Sequence, residues 1–126
     1  MEKRRILETV RSICLALPEA SERPSHGEPT FFVGGKRSFA TVWNNHHDDG
    51  RFALICAAPA GMQTALVDAD PERFFVPPYF GHRGWIGVRL DRGFDRDEIA
   101  GIVEDAFAEV APPKMVEGAG RKPHGD

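Results

Sequence analysis

Two apolar stripes of the same period stand near the two ends of the chain. Ile6, Leu7, Val10, Ile13, Cys14 and Leu17 recur as one face of a helix, and Pro18 ends the run because proline cannot extend the hydrogen-bond ladder. Ile99, Ile102, Val103, Ala106, Phe107 and Val110 repeat that pattern before Pro112-Pro113. Asp95 stands as its N-cap and Glu98 three residues on completes a variant of the capping box. Each stripe has to be buried against something, and the sequence between them reads mostly as strands.

Thr30 to Val33 and Lys36 to about Asn44 flank Gly34-Gly35, a pair suited to the positive φ angles of a tight hairpin. In the second of these strands Phe39, Thr41 and Trp43 share one face and Ser38, Ala40 and Val42 the other, with the inward face left open. His46 to Gly50 reads as an exposed polar turn, and Arg51 to Cys56 as a third strand. A short helix from Pro59 to about Asp68 follows, then extended Phe74 to Val76. Trp85 to Leu90 alternates, with Ile86, Val88 and Leu90 facing the core and Trp85, Gly87 and Arg89 facing away. Glu19 to Pro29, broken by Pro24, Gly27 and Pro29, reads as a long loop. The expected fold class is α+β: a two-layer sandwich, an antiparallel sheet with two main helices on one face and the other face partly open.

One domain over 1–113 with a mobile tail over 114–126 suits a chain of 126 residues. A net charge of −3 argues against a strongly basic nucleic-acid binder, although residues 23–92 hold eight bases against seven acids. No run approaches the ~20 apolar residues that span a membrane, and no cleavage site follows the basic start, so a cytoplasmic protein is expected. Cys14 and Cys56 fall inside apolar patterns and read as buried free thiols.

Residues 74–90 hold the densest set of large side chains outside the helices. The marks Leu17-Pro18-Glu19, His26-Gly27-Glu28-Pro29-Thr30-Phe31 and Pro78-Tyr79-Phe80-Gly81-His82-Arg83-Gly84-Trp85-Ile86-Gly87-Val88 resemble the MmcQ/YjbR family of small bacterial proteins, over roughly residues 5–113. The resemblance implies a frataxin-like (CyaY-like) fold. It also implies DNA binding, by analogy with a double-wing architecture, and it brings no catalytic residues.

The candidate contact residues are Lys36 and Arg37 at the hairpin tip, then Tyr79, His82, Arg83, Trp85 and Arg89. Arginines and lysine would meet phosphates, and the rings would stack on bases. A second expectation is a protein-interaction module with Trp85 as its anchor. A third is a small-ligand pocket formed by His26 and His82. No nucleophile–base–orienter set is present, so an enzyme is not indicated. No cofactor is expected, and no metal, because no ligand spacing is present. A monomer or weak homodimer is expected.

Overall fold

The computed structural model describes residues 2–114. The chain runs α1 (Lys3–Leu15), β1 (Ala20–Ser25), β2 (Glu28–Val33), β3 (Arg37–Asn44), β4 (Phe52–Cys56), α2 (Met62–Ala69), β5 (Phe74–Phe75), β6 (Ile86–Arg89) and α3 (Arg96–Val110). The strands form one antiparallel sheet in the order β1-β2-β3-β4-β6-β5. This is the α+β architecture that the two stripes demand. Of the expected tail, only Lys114 lies within the described residues.

The stripes of α1 and α3 pack against each other and on one sheet face. Phe31, Val42, Leu54, Ile86 and Val88 rise from the strands to meet Val10, Val103 and Phe107, all 2% exposed or less. Burying one such side chain is worth roughly 1.5–3 kcal/mol, so this layer carries the stability of the domain. Cys14 and Cys56 lie within it as free thiols. Burial pushes the Cys56 thiol up to about 12, and Cys14 higher still. Asp95 caps α3 by accepting from the backbone N–H groups of Asp97 and Glu98. The Glu98 side chain does not close the capping box. It takes both terminal guanidinium nitrogens of Arg73 and ties the approach to β5 onto the start of α3.

Three expectations change here. Residues 19–29 are not a long loop: β1 pairs along β2, and His26-Gly27, both at positive φ, make the two-residue turn between them. The strand escaped notice because its residues are polar and Pro24 interrupts it. Pro24 is tolerated because β1 is an edge strand. Arg11 of α1 grips Glu22 of β1 through two hydrogen bonds, 2.6 and 2.8 Å. The Gly34-Gly35 turn also runs one residue longer than expected, since Val33 pairs with Arg37.

The third change decides the working face. Phe31 pairs with Ala40 but Phe32 pairs with Ser38, so Phe39 is the extra residue of a β-bulge. The bulge breaks strict alternation. Phe39 turns toward the helices, where its ring meets Phe107 edge-on at 5.5 Å. Ser38, Thr41 and Trp43 then point together to the opposite face.

Candidate functional site

The sheet face away from α1 and α3 is not bare. The chain between β5 and β6 folds back over it and covers its centre with rings. Buried Pro77 starts the loop, and its carbonyl accepts from the Gly81 N–H at 2.8 Å. Gly81 is packed so tightly on Val76 that a Cβ there would lie 2.4 Å from its methyl group. From α2, the Gln63 amide donates to the carbonyls of Gly81 (2.9 Å) and Trp85 (2.6 Å) and clamps both ends of the turn. Phe80 is thereby laid on Trp85, ring centroids 4.6 Å apart and nearly parallel, and reaches Trp43 at 6.2 Å.

A cleft of about 450 Å³ opens between this ring wall and β1–β3. Its floor is Trp43 with Thr30 and Thr41, whose hydroxyls lie 2.9 Å apart. The Thr41 hydroxyl donates to the Pro29 carbonyl and that of Thr30 has the Glu28 carbonyl in reach, so the floor offers lone pairs. Imidazoles form the rim. His46 stacks on Trp43 at 4.1 Å, and its Nδ1 lies 3.1 Å from a Glu28 carboxylate oxygen. That pairing fixes the ring and leaves Nε2 without a hydrogen-bond partner among the described residues. His47 follows with its ring 4.2 Å from that of His46 and its Nε2 3.4 Å from the Tyr79 hydroxyl. His26 completes the rim from the β1–β2 turn.

Three rim residues, His26 (φ 52), His47 (φ 54) and Tyr79 (φ 70), hold the left-handed backbone that side chains avoid. Such a conformation costs on the order of 1–2 kcal/mol per residue. Tyr79 is also 67% exposed, so no burial of its ring offsets that cost. The two-residue hairpin turn at His26-Gly27 and the backbone hydrogen bonds that span Tyr79, from Phe80 to Pro78 and from Gly81 to Pro77, hold two of these conformations in place.

The expected contact residues divide among four places. Tyr79, Trp85 and His26 come together at the cleft. Trp85 is 4% exposed beneath Phe80, so it is a wall of the cleft and not a free anchor for a partner protein. Arg83 lies over the rings of Phe80 and Trp85, 5.6 and 5.2 Å from their centroids. His82 is exposed beside it and does not line the cleft, so the His26/His82 pairing is replaced by His26 with His46 and His47. Lys36 and Arg37 are exposed at the hairpin tip. Arg89 lines a different cavity and is bound to Asp91 by two 3.0 Å hydrogen bonds.

Trp43, His46, His47 and Phe80 were not expected at the site. His46-His47 read as an exposed turn because adjacent side chains diverge on an extended strand. The backbone there is not extended: Asn45, His47 and Asp48 all have positive φ, which brings both rings to one side. Two histidines just past the end of β3, separated from Trp43 only by Asn44-Asn45, were the available signal. Among the described residues no three His, Cys, Asp or Glu side chains are grouped to hold a metal ion. No helix among them is long and apolar enough to cross a membrane.

The YjbR family model matches residues 15–109, which includes every residue of this cleft. The chain belongs to the YjbR family. Its fold is similar to that of the Deinococcus radiodurans protein DR2400, whose crystal structure is described as a DUF419 domain. The two share 19% identity at a TM-score of 0.71, over 90% of this chain and 83% of that one. No curated protein matches the chain.

Proposed function

We propose that this YjbR-family protein is a binding module that takes a planar, nitrogen-bearing aromatic ring, such as a nucleobase, in the cleft between β1–β3 and the β5–β6 loop. One observation carries the reading: an otherwise uncharged ring-lined cleft is rimmed by three imidazoles and a strained, exposed tyrosine. Trp43, Phe80 and Tyr79 supply stacking surface. His46 Nε2 and the threonine hydroxyls supply edge hydrogen bonds. Stacking on an aromatic ring is worth about 1–3 kcal/mol per base. The test is tryptophan fluorescence during titration with free nucleosides and other planar heterocycles. Saturable quenching is expected, with Tyr79→Ala weakening binding about tenfold. A panel that leaves both fluorescence and melting temperature unchanged would sink the reading.

DNA binding is the second reading, supported by Lys36, Arg37 and Arg83, none of which has a carboxylate partner among the described residues. Arg89 does not add to that surface, since it lines a different cavity. A duplex titrated at rising salt decides: affinity must fall with a slope of about −0.9 per phosphate contact. Absence of binding at low salt removes this reading and leaves the ring cleft untouched.

A further inference from the structure

A second cavity, about 220 Å³, lies where β6 meets the approach to β5. Its floor comes from a close approach. The Phe75 ring lies over Gly87 so tightly that a Cβ at Gly87 would sit 2.5–2.7 Å from it. Only glycine permits that contact, and it turns the ring into a flat base. The Arg51 guanidinium lies over the same ring, 4.0 Å from its centroid. Its hydrogen-bond donors lie around the rim of that plane and have no partner among the described residues.

Arg89 enters from β6 in register with Ala53. Asp91 takes its Nε and one Nη2 proton, which orients the fork and leaves the Nη1 donors without a partner among the described residues. Arg92, on the exposed turn after β6, lines the cavity and has no ion pair among the described residues. Glu72 is the one acid in the lining, and it bonds to none of the three arginines. Three arginines thus line one small space, Arg89 already paired with Asp91 and Arg51 and Arg92 without an ion pair among the described residues, with Glu72 as the one carboxylate of the lining. Neither Asp91 nor Asp49, whose charge also acts on Arg89, is part of the lining.

We propose that the cavity ringed by Arg51, Arg89 and Arg92 binds a phosphate-bearing ligand, at a site distinct from the ring cleft. Planar forks on a rigid floor suit a tetrahedral oxyanion, whose several oxygens can accept from more than one arginine at once. The ring cleft has no arginine or lysine in its lining, so the two cavities differ in the chemistry they select.

The experiment is a nitrogen-15 NMR titration of the whole chain, reading backbone and arginine Nε resonances, with chloride at matched ionic strength as reference. The probes are inorganic phosphate, a nucleoside monophosphate and a single-stranded oligonucleotide without terminal phosphates. Saturable shifts at Arg51, Gly87, Arg89 and Arg92 are expected with at least one probe. Arg92→Gln and Arg51→Gln should each weaken that binding about tenfold, while Tyr79→Ala leaves it unchanged. Saturation by the first two probes alone assigns a small phosphate ester. Saturation by the oligonucleotide, lost in Arg92→Gln, assigns backbone phosphate. Shifts that match the chloride reference for all probes, or binding indifferent to both arginine variants, would overturn the site. Equal weakening by Tyr79→Ala would overturn its independence from the cleft.

Discussion

The two faces of the sheet are built on different principles. Toward α1 and α3 the layer is aliphatic and phenylalanine-rich, dry and in ordinary backbone geometry. Toward the cleft the layer is made of Trp43, Phe80, Trp85 and imidazoles, and three rim residues occupy left-handed backbone. The first face maximises buried apolar area. The second holds rings and nitrogen atoms around an open cleft, with part of its rim in strained backbone. The contrast teaches that the faces can be perturbed separately.

The largest effect belongs to the helix side. Leu54→Ala removes a fully buried side chain and should cost about 2–5 kcal/mol in chemical denaturation. Affinity of the folded fraction for a cleft ligand should stay within about twofold. A large change in affinity would show that the faces are coupled. Gly87→Ala comes next, because its new methyl collides with the Phe75 ring. Overpacking of this kind costs about 1–3 kcal/mol. Phosphate binding at the arginine cavity should fall with it, while nucleoside quenching persists.

Smaller effects test the strained rim. His26→Gly relieves a positive φ at an exposed turn and should stabilise the fold by up to about 1 kcal/mol. Binding at the cleft should weaken in the same variant. Stability and affinity moving in the same direction would contradict the idea that the strain serves recognition. Between the faces, the thiols offer a check. Burial raises both Cys14 and Cys56, so neither forms appreciable thiolate near pH 7. Reaction with a thiol reagent should await unfolding, and rapid labelling of the native protein would mean that the helix layer opens.

The smallest effect concerns pH. Burial works to raise the Asp91 carboxyl, but the hydrogen bond and charge of Arg89 outweigh it and hold Asp91 below its ordinary value. A depressed acid contributes stability that is present above its unfolded pKa of about 3.9 and is lost as pH falls through the folded value. Asp91→Asn should therefore flatten the acid limb of the stability profile below about pH 4. An unchanged limb would mean that the Arg89–Asp91 pair adds nothing.

Much of the helix side was legible from residue spacing. A period of 3.6 survives in the sequence whatever the rest of the chain does, so the stripes of α1 and α3 announced both helices and the single face they cover. The alternation of Ile86, Val88 and Leu90 announced their burial in the same way. The polar edge strand β1 left no such trace, since pairing with β2 depends on backbone groups and not on side-chain pattern.

The cleft side had to wait for the tertiary structure. His26, His46, Tyr79 and Trp85 are far apart in the chain, and only the strand order and the fold-back of the β5–β6 loop place them around one space. The bulge at Phe39 decided which of Phe39, Thr41 and Trp43 faced that space, because one extra residue reverses side-chain parity. Local periodicity thus determined the layer that holds the protein together. Long-range pairing, which no local pattern encodes, decided that three imidazoles and a tyrosine line one cavity and three arginines another.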